Sequence, residues 1–135
     1  MGPILFRAWL KYYHEMHIVE TLDMQDNEVF INRINGNGGY HNIKDIELMQ
    51  YTGLDDSSGK KIYEGDIVKS TFHSRIDGAT TDIYVVEYDN VNPCFVMQSI
   101  TSEYQREYDF VQVDLRTNEV IGNIYENKEL LKDSK

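Results

Sequence analysis

The chain has 135 residues, 41% of them apolar, and a net charge of −10. It is long enough to bury a real core, and its composition excludes an intrinsically disordered chain. No apolar run reaches the roughly 18–20 residues of a membrane span, so a protein working in the cytoplasm is expected.

The first residues, MGPILFRAWLKYYH, read as mature sequence. Arg7 interrupts the only apolar stretch that could serve as a leader, and Phe6 stands where a myristoylation signal needs Ser or Thr. Leu5–Trp9 is a short strand. From there Trp9, Tyr12, Tyr13, Met16 and Val19 recur with a period near 3.6, which predicts a helix over residues 9–19. Glu28–Ile34 alternates as a strand does, and Gly36–Gly39 reads as a mobile connection after it.

Glu47–Thr52 and Lys61–Tyr63 read as paired strands around the loop Asp55–Gly59. Gly53 is expected to end the first strand, Asp and Ser to bond the loop's own amides, and Gly59 to take a positive φ. Glu64-Gly65-Asp66 then breaks the alternation before Ile67-Val68 restarts it. A glycine between acids inside a strand pattern marks a corner, so Gly65 is expected at positive φ or at a bulge. Residues 81–88 and 94–98 flank Asp89–Pro93 as one hairpin, and Phe110–Leu115 and Val120–Tyr125 flank Thr117-Asn118 as a second, with Gly122 in its last strand. Asn127 is placed to cap a short helix through Leu131. The fold class is therefore mainly β, a small barrel or sandwich, with a short C-terminal helix.

Chemical signatures are sparse. His14–His17 reads HEMH, but a zincin helix needs its histidines four apart, and the spacing here is three. The glycines of Gly36–Gly39 lack the Lys and Ser or Thr of a phosphate loop. No serine sits in a nucleophile elbow, and the paired acids Asp55-Asp56 belong to turn chemistry. Cys94 is the only cysteine, which rules out an internal disulfide and a thiolate metal cluster. Between Pro93 and Phe95 it reads as a small buried hydrophobe. No catalytic, cofactor or metal residues are assigned, and an enzyme is not expected.

Residues 70–109 hold seven acids against Arg75 and Arg106, a local charge of −5. Such a surface repels phosphate, so direct binding to nucleic acid is not expected. Tyr84 and Tyr88 share a strand face, and Tyr104 and Tyr108 share one if their segment is helical. With Asp82, Glu87 and Asp89 they form a candidate aromatic patch rimmed by acids, suited to a partner with basic and apolar features.

Three blocks then stand out in order: FRAW at 6–9, LMQYTGLDDSSGKKIYEGDIV at 48–68 and EVIGNIYENKELL at 119–131. Together they resemble the YopX family of small proteins encoded by phages and prophages, mainly of Gram-positive bacteria. The resemblance implies one unit over residues 1–135. N-terminal strands would fill residues 1–50, an SH3-like barrel residues 51–127 with an acidic insertion at about 70–110, and a short helix and tail residues 128–135. GDIV would be the barrel's corner strand and VIGNIY a closing strand, with Gly53, Gly59, Gly65, Asp66 and Gly122 as structural residues. Against the periodicity, the resemblance implies a hairpin from Trp9 to Ile18. Here Leu10 stands where the family often has Asp, Tyr12 and Tyr13 where turn residues are usual, and Lys128 where Pro is frequent. The family has no agreed activity, so it transfers no functional residues. The expected function is a non-enzymatic protein-binding module in the bacterial cytoplasm, with a partner from phage or host or a second copy of itself. The alternatives are an acidic mimic of DNA that sequesters a DNA-binding protein, and a small hydrolase.

Overall fold

Short β-branched and aromatic runs, cut by Gly, Asn and Asp, make the chain mainly β in the computed structural model. It describes residues 3–34, 36–74, 78–91, 93–100, 107–109 and 117–131. Among the described residues there is no α-helix, only 3-10 turns at Ile43–Asp45 and Lys128–Leu131. Among them no helix is long and apolar enough to cross a membrane. The chain divides into two compact units, residues 1–51 and 52–135.

The first unit holds β1 (Phe6–Leu10), β2 (Glu15–Ile18), β3 (Thr21–Asp23), β4 (Glu28–Ile31), β5 (Gly39–Asn42) and the start of β6 (Ile46–Asp55). β1 lies between β2 and β6, antiparallel to both, so that Trp9 faces Met16 on one side and Glu47 on the other. β3, β4 and β5 form an antiparallel meander in which Val29 faces His41. Ala8 and Leu10 of β1, Val29 and Ile31 of β4 and Ile46 make one buried cluster, each pair two residues apart on its strand.

Residues 9–19 are thus a hairpin, as the family resemblance implies, and not the helix that their periodicity predicts. The apolar residues that carried the helical period do not share one buried face. Tyr12 is 87% exposed and Tyr13 46% exposed, both in the turn. The turn closes with His14 N–H donating to the Leu10 carbonyl at 2.8 Å and His14 at φ 57°. The hairpin instead buries Ala8 and Leu10 of β1 in the core and leaves both tyrosines in its turn, a division that a helical stripe through Trp9, Tyr12, Tyr13 and Met16 would not make.

The strand predicted over Glu28–Ile34 stops at Ile31, because the Asn32 side chain accepts the Ile34 amide at 2.9 Å and turns the chain. Gly36–Gly39 is not wholly a connection: Gly39 is buried and opens β5. β3 and β5 are too short and too polar to stand out in the sequence.

The second unit contains the end of β6, then β7 (Lys61–Tyr63), β8 (Asp66–Ser74), β9 (Gly78–Asp89), β10 (Cys94–Ser99), β11 (Glu107–Asp109) and β12 (Glu119–Asn123). The order β11-β10-β9-β8-β12 makes a five-stranded antiparallel sheet. The pairs Val68–Tyr84 and Val86–Met97 bring four buried side chains onto one face, where they cluster with Ile62.

The stretch 51–68 largely meets its sequence reading. Asp56 bonds the amides of Ser58 and Lys60, and Gly59 has φ 89°. Gly53 also has φ 89° but does not end its strand, since β6 runs on to Asp55. Thr52 steadies that kink by donating its hydroxyl to the Ile62 carbonyl at 2.8 Å. Gly65 is a buried corner with φ 87°, and the Asp66 carboxylate behind it accepts the Tyr63 amide at 2.7 Å.

β12 carries a register shift between Val120 and Gly122. A Cβ on Gly122 would fall 2.6 Å from the Asn127 side chain, which accepts the Asn123 amide at 3.1 Å. Asn127 therefore folds back onto the strand end, and Lys128–Leu131 forms a 3-10 turn in place of the expected helix. The turn between β9 and β10 falls where expected, with Asp89 accepting the Val91 amide at 2.9 Å. Cys94 is exposed as the first residue of β10, correcting its reading as a buried hydrophobe. The predicted strand Phe110–Leu115 lies outside the described residues.

Candidate functional site

The acidic, tyrosine-bearing face is only partly what its strand pattern implies. Tyr84 is fully buried between β8 and β10, so it is not part of a surface patch. Tyr88, 42% exposed at the end of the same strand face, stands edge-on to Phe95 with ring centres 5.3 Å apart. Asp82 is half-buried and bonds the Ile83 amide at 2.9 Å and the Ser99 hydroxyl at 3.2 Å. Asp89 is spent on its turn, while Glu87 is exposed. Tyr104 lies outside the described residues; Tyr108 is placed by its backbone in β11. Alternation along β9 predicts which residues share a side, but not how far the cover over that side extends.

A cleft of about 770 Å³ opens instead in the first unit. The turn of the β1–β2 hairpin contributes Lys11, Tyr12 and Tyr13; β5 contributes Tyr40 and His41; the following 3-10 turn contributes Lys44 and Asp45. Asn42 caps that 3-10 turn by accepting the Lys44 amide at 2.9 Å, which fixes where Lys44 and Asp45 stand. Tyr12 meets Tyr13 edge-on at 5.1 Å, and Tyr13 meets His41 edge-on at 6.4 Å. Tyr40, 65% exposed, leans on Phe30 at 4.9 Å. Lys11 donates to the Lys44 carbonyl at 3.2 Å and pairs with Glu47 at 3.4 Å. The Lys44 ammonium and the Asp45 carboxylate make no hydrogen bond or ion pair among the described residues.

One wall of the cleft, Asn37-Gly38, is clasped from two sides. Glu15 on β2 accepts the Asn37 side-chain amide at 2.8 Å and its backbone amide at 3.2 Å, and bonds His17 Nε2 at 2.8 Å. His41 Nε2 donates to the Asn37 carbonyl at 2.7 Å. The His17 hydrogen bond, followed by the Asn37 amide, holds the Glu15 carboxyl below the usual carboxylate range. Gly36 belongs to the same clasp: at φ 83°, a Cβ there would lie 2.8 Å from Glu15 Oε1.

This arrangement also accounts for the HEMH segment. His14 sits in the hairpin turn with its ring 5.9 Å from Trp9, whereas His17 is committed to Glu15. Protein purified without added metal is therefore expected to contain well under one equivalent of zinc by elemental analysis. About one equivalent, lost on His14→Ala or His17→Ala, would overturn that expectation. Asp23, Asp26 and Glu28 bring three carboxylates together at the β3–β4 turn. Asp23 is occupied there in accepting the Gln25 and Asp26 amides.

Sequence reasoning missed Tyr12, Tyr13, Tyr40, His41 and Lys44 as a group. The available signal was Tyr12-Tyr13, two large rings where turn residues are usual: residues that do not serve the turn are free to serve a surface.

The profile of the family described as YopX protein matches residues 5–132. The chain is also similar to a solved structure, the crystal structure of protein EF1440 from Enterococcus faecalis. The two share 25% identity over 97% of this chain and 99% of that one, with a TM-score of 0.66. No curated protein matches the chain.

Proposed function

The chain belongs to the YopX family, and on that footing we propose that it is a non-enzymatic protein-binding module of phage or prophage origin. Its partner is a protein of phage or host in the bacterial cytoplasm. The observation that carries this reading is the set of exposed tyrosines around the cleft. Tyr12 and Tyr40 leave most of their rings in water, and exposed aromatic rings are the side chains from which interface anchors are made. The ionisable groups nearby support binding over catalysis: Glu15, His17 and His41 are spent on the clasp, and Lys11 on Glu47. The Gly65 corner and the five-stranded antiparallel sheet support reading the second unit as a small SH3-like barrel.

The test is affinity capture of the tagged protein from bacteria carrying the phage, alongside a Tyr12→Ala/Tyr40→Ala variant. Both rings are exposed, so the variant is expected to stay folded. Loss of two aromatic anchors is expected to cut recovery of the partner more than tenfold, a cost above about 1.4 kcal/mol. Equal recovery by both proteins would defeat the reading. Neither duplex nor single-stranded DNA is expected to shift in a mobility assay at about 0.15 M salt, because the chain carries a net charge of −10. A shift at that salt concentration would do the same damage.

A further inference from the structure

We infer that Asn37-Gly38 is a site of spontaneous deamidation which the Glu15 clasp holds shut, and that the carboxylate formed there opens the clasp.

The fold requires both residues, although together they make the most labile step an asparagine can take part in. A glycine after asparagine has no Cβ to shield its amide nitrogen from the asparagine side chain. Gly38 leaves no room for a larger residue: a Cβ there would lie 2.4 Å from the Arg33 Cα and 2.4 Å from the Asn32 carbonyl oxygen. Asn37 belongs to the clasp, to which it gives two donors and an acceptor. The sequence has a second such step, Asn35-Gly36, whose asparagine lies outside the described residues.

The reaction needs only water. The Gly38 amide nitrogen gives up its proton and bonds Asn37 Cγ, and the Cγ–Nδ2 bond breaks to release ammonia. Water then opens the five-membered imide. Breaking the bond from nitrogen to Cγ gives aspartate. Breaking the backbone C–N bond gives isoaspartate, whose main chain runs on through Cβ and Cγ. Either way an amide and a water become a carboxylate and an ammonium ion.

Ring closure requires the Asn37 side chain to swing onto the Gly38 nitrogen, and the clasp opposes this at three points. Asn37 Nδ2 donates to Glu15 Oε2 at 2.8 Å, its backbone amide donates to Glu15 Oε1 at 3.2 Å, and its carbonyl accepts His41 Nε2 at 2.7 Å. The side chain and the backbone on both sides of its Cα are pinned, so the ring closes only in molecules whose clasp has opened locally. Charge adds to the geometry. Both the attacking nitrogen and the oxygen of the tetrahedral intermediate are anionic, and they form beside a carboxylate that its bond to His17 keeps ionised.

The product turns the same contact against the clasp. Where Nδ2 donated, a carboxylate oxygen faces Glu15 Oε2, so two acceptors meet without a proton between them and like charges repel. Isoaspartate also adds one main-chain atom just ahead of Gly39, which pairs with Ile31. The Asn37-Gly38 wall of the cleft is released, and the change runs one way, with age rather than with a ligand.

The test incubates the full-length protein, folded and in urea, and follows Asn37 by tandem mass spectrometry that reads positions 35 and 37 separately. Folded wild type is expected to lose its Asn37 amide at least about tenfold more slowly than the urea-unfolded chain, the rate equivalent of one charge-assisted hydrogen bond. Glu15→Ala, checked for folding by its urea midpoint, should bring the folded rate to within about threefold of the unfolded one. Glu15→Gln, which keeps the shape and one acceptor oxygen, should speed the reaction severalfold and covers the case in which the alanine variant misfolds. The effect on the clasp is read by hydrogen exchange at the backbone amide of residue 37. After correction for intrinsic rates, Asn37→Asp should exchange there at least about fivefold faster than Asn37→Ala, which loses the same bond without adding a charge. Three results overturn the inference: equal deamidation in the folded and unfolded chains, a folded Glu15→Ala or Glu15→Gln variant that reacts no faster than wild type, or equal exchange in Asn37→Asp and Asn37→Ala.

Discussion

Replacing Asp56 with Ala is expected to cost about 3 kcal/mol of stability. Asp56 looks like a loop residue but works as a staple. Its Oδ1 accepts the Ser58 amide at 2.9 Å, the Ser58 hydroxyl at 2.8 Å and the Lys60 amide at 2.8 Å. Its Oδ2 accepts the Val120 amide at 2.9 Å, across 64 residues of chain. Hydrogen bonds to a charged group contribute about 1.5–3 kcal/mol each, and removal of the acceptor strands the donors. The loop amides can turn to water, which holds the total near that of the Val120 bond and one other.

Burial works against the Asp56 charge, but the amides of Val120, Lys60 and Ser58 outweigh it, and its pKa lies below the ordinary value. That depression sets the sign of the pH effect. A depressed folded pKa contributes stability that is fully present above the unfolded value, near pH 4. The contribution declines as the pH falls below the unfolded value and is lost as it passes through the folded one. Urea denaturation should therefore separate wild type from Asp56→Ala by about 3 kcal/mol at neutral pH and progressively less toward pH 2. Asp56→Asn keeps one acceptor oxygen without a titrating charge, and should fall between the two with a flat pH response. An unchanged gap at pH 2 would show that the carboxylate is not the staple.

Gly65→Val is expected to cost about 3 kcal/mol, from two sources. A β-branched side chain at φ 87° carries roughly 1–3 kcal/mol of backbone strain. Relaxing that strain would break the corner's own bonds, because the Gly65 amide donates to the Val86 carbonyl at 2.8 Å and its carbonyl accepts the Ile124 amide at 2.9 Å. Gly65→Ala, without the branch, should cost less, about 1–2 kcal/mol. If the Val variant unfolds at the same urea concentration as the parent, Gly65 is not a corner that requires glycine.

The β character of the chain and the local chemistry of residues 51–68 can be read from residue order alone. Each of those features depends on what one residue type can do within a few bonds. Glycine alone enters the positive-φ region freely at Gly59 and Gly65, and an aspartate near a turn captures its neighbours' amides, as Asp56 does. The same local logic misled at residues 9–19, where a helical period arose from two tyrosines that no core claims. It also stopped short at Tyr84 and Tyr88, which share a strand face and differ completely in exposure. Tertiary structure decided these points, because spacing tells which way a side chain points and not what lies above it. The cleft needed most from the fold. Tyr12 and Tyr40 line one cleft, and Glu15 bonds Asn37, across more than twenty residues of chain, and only the packing of the β1–β2 hairpin on the β3–β4–β5 meander brings them to one place. Register is set by which buried faces must match, Ala8 and Leu10 against Val29 and Ile31, and that matching is a property of the packed core.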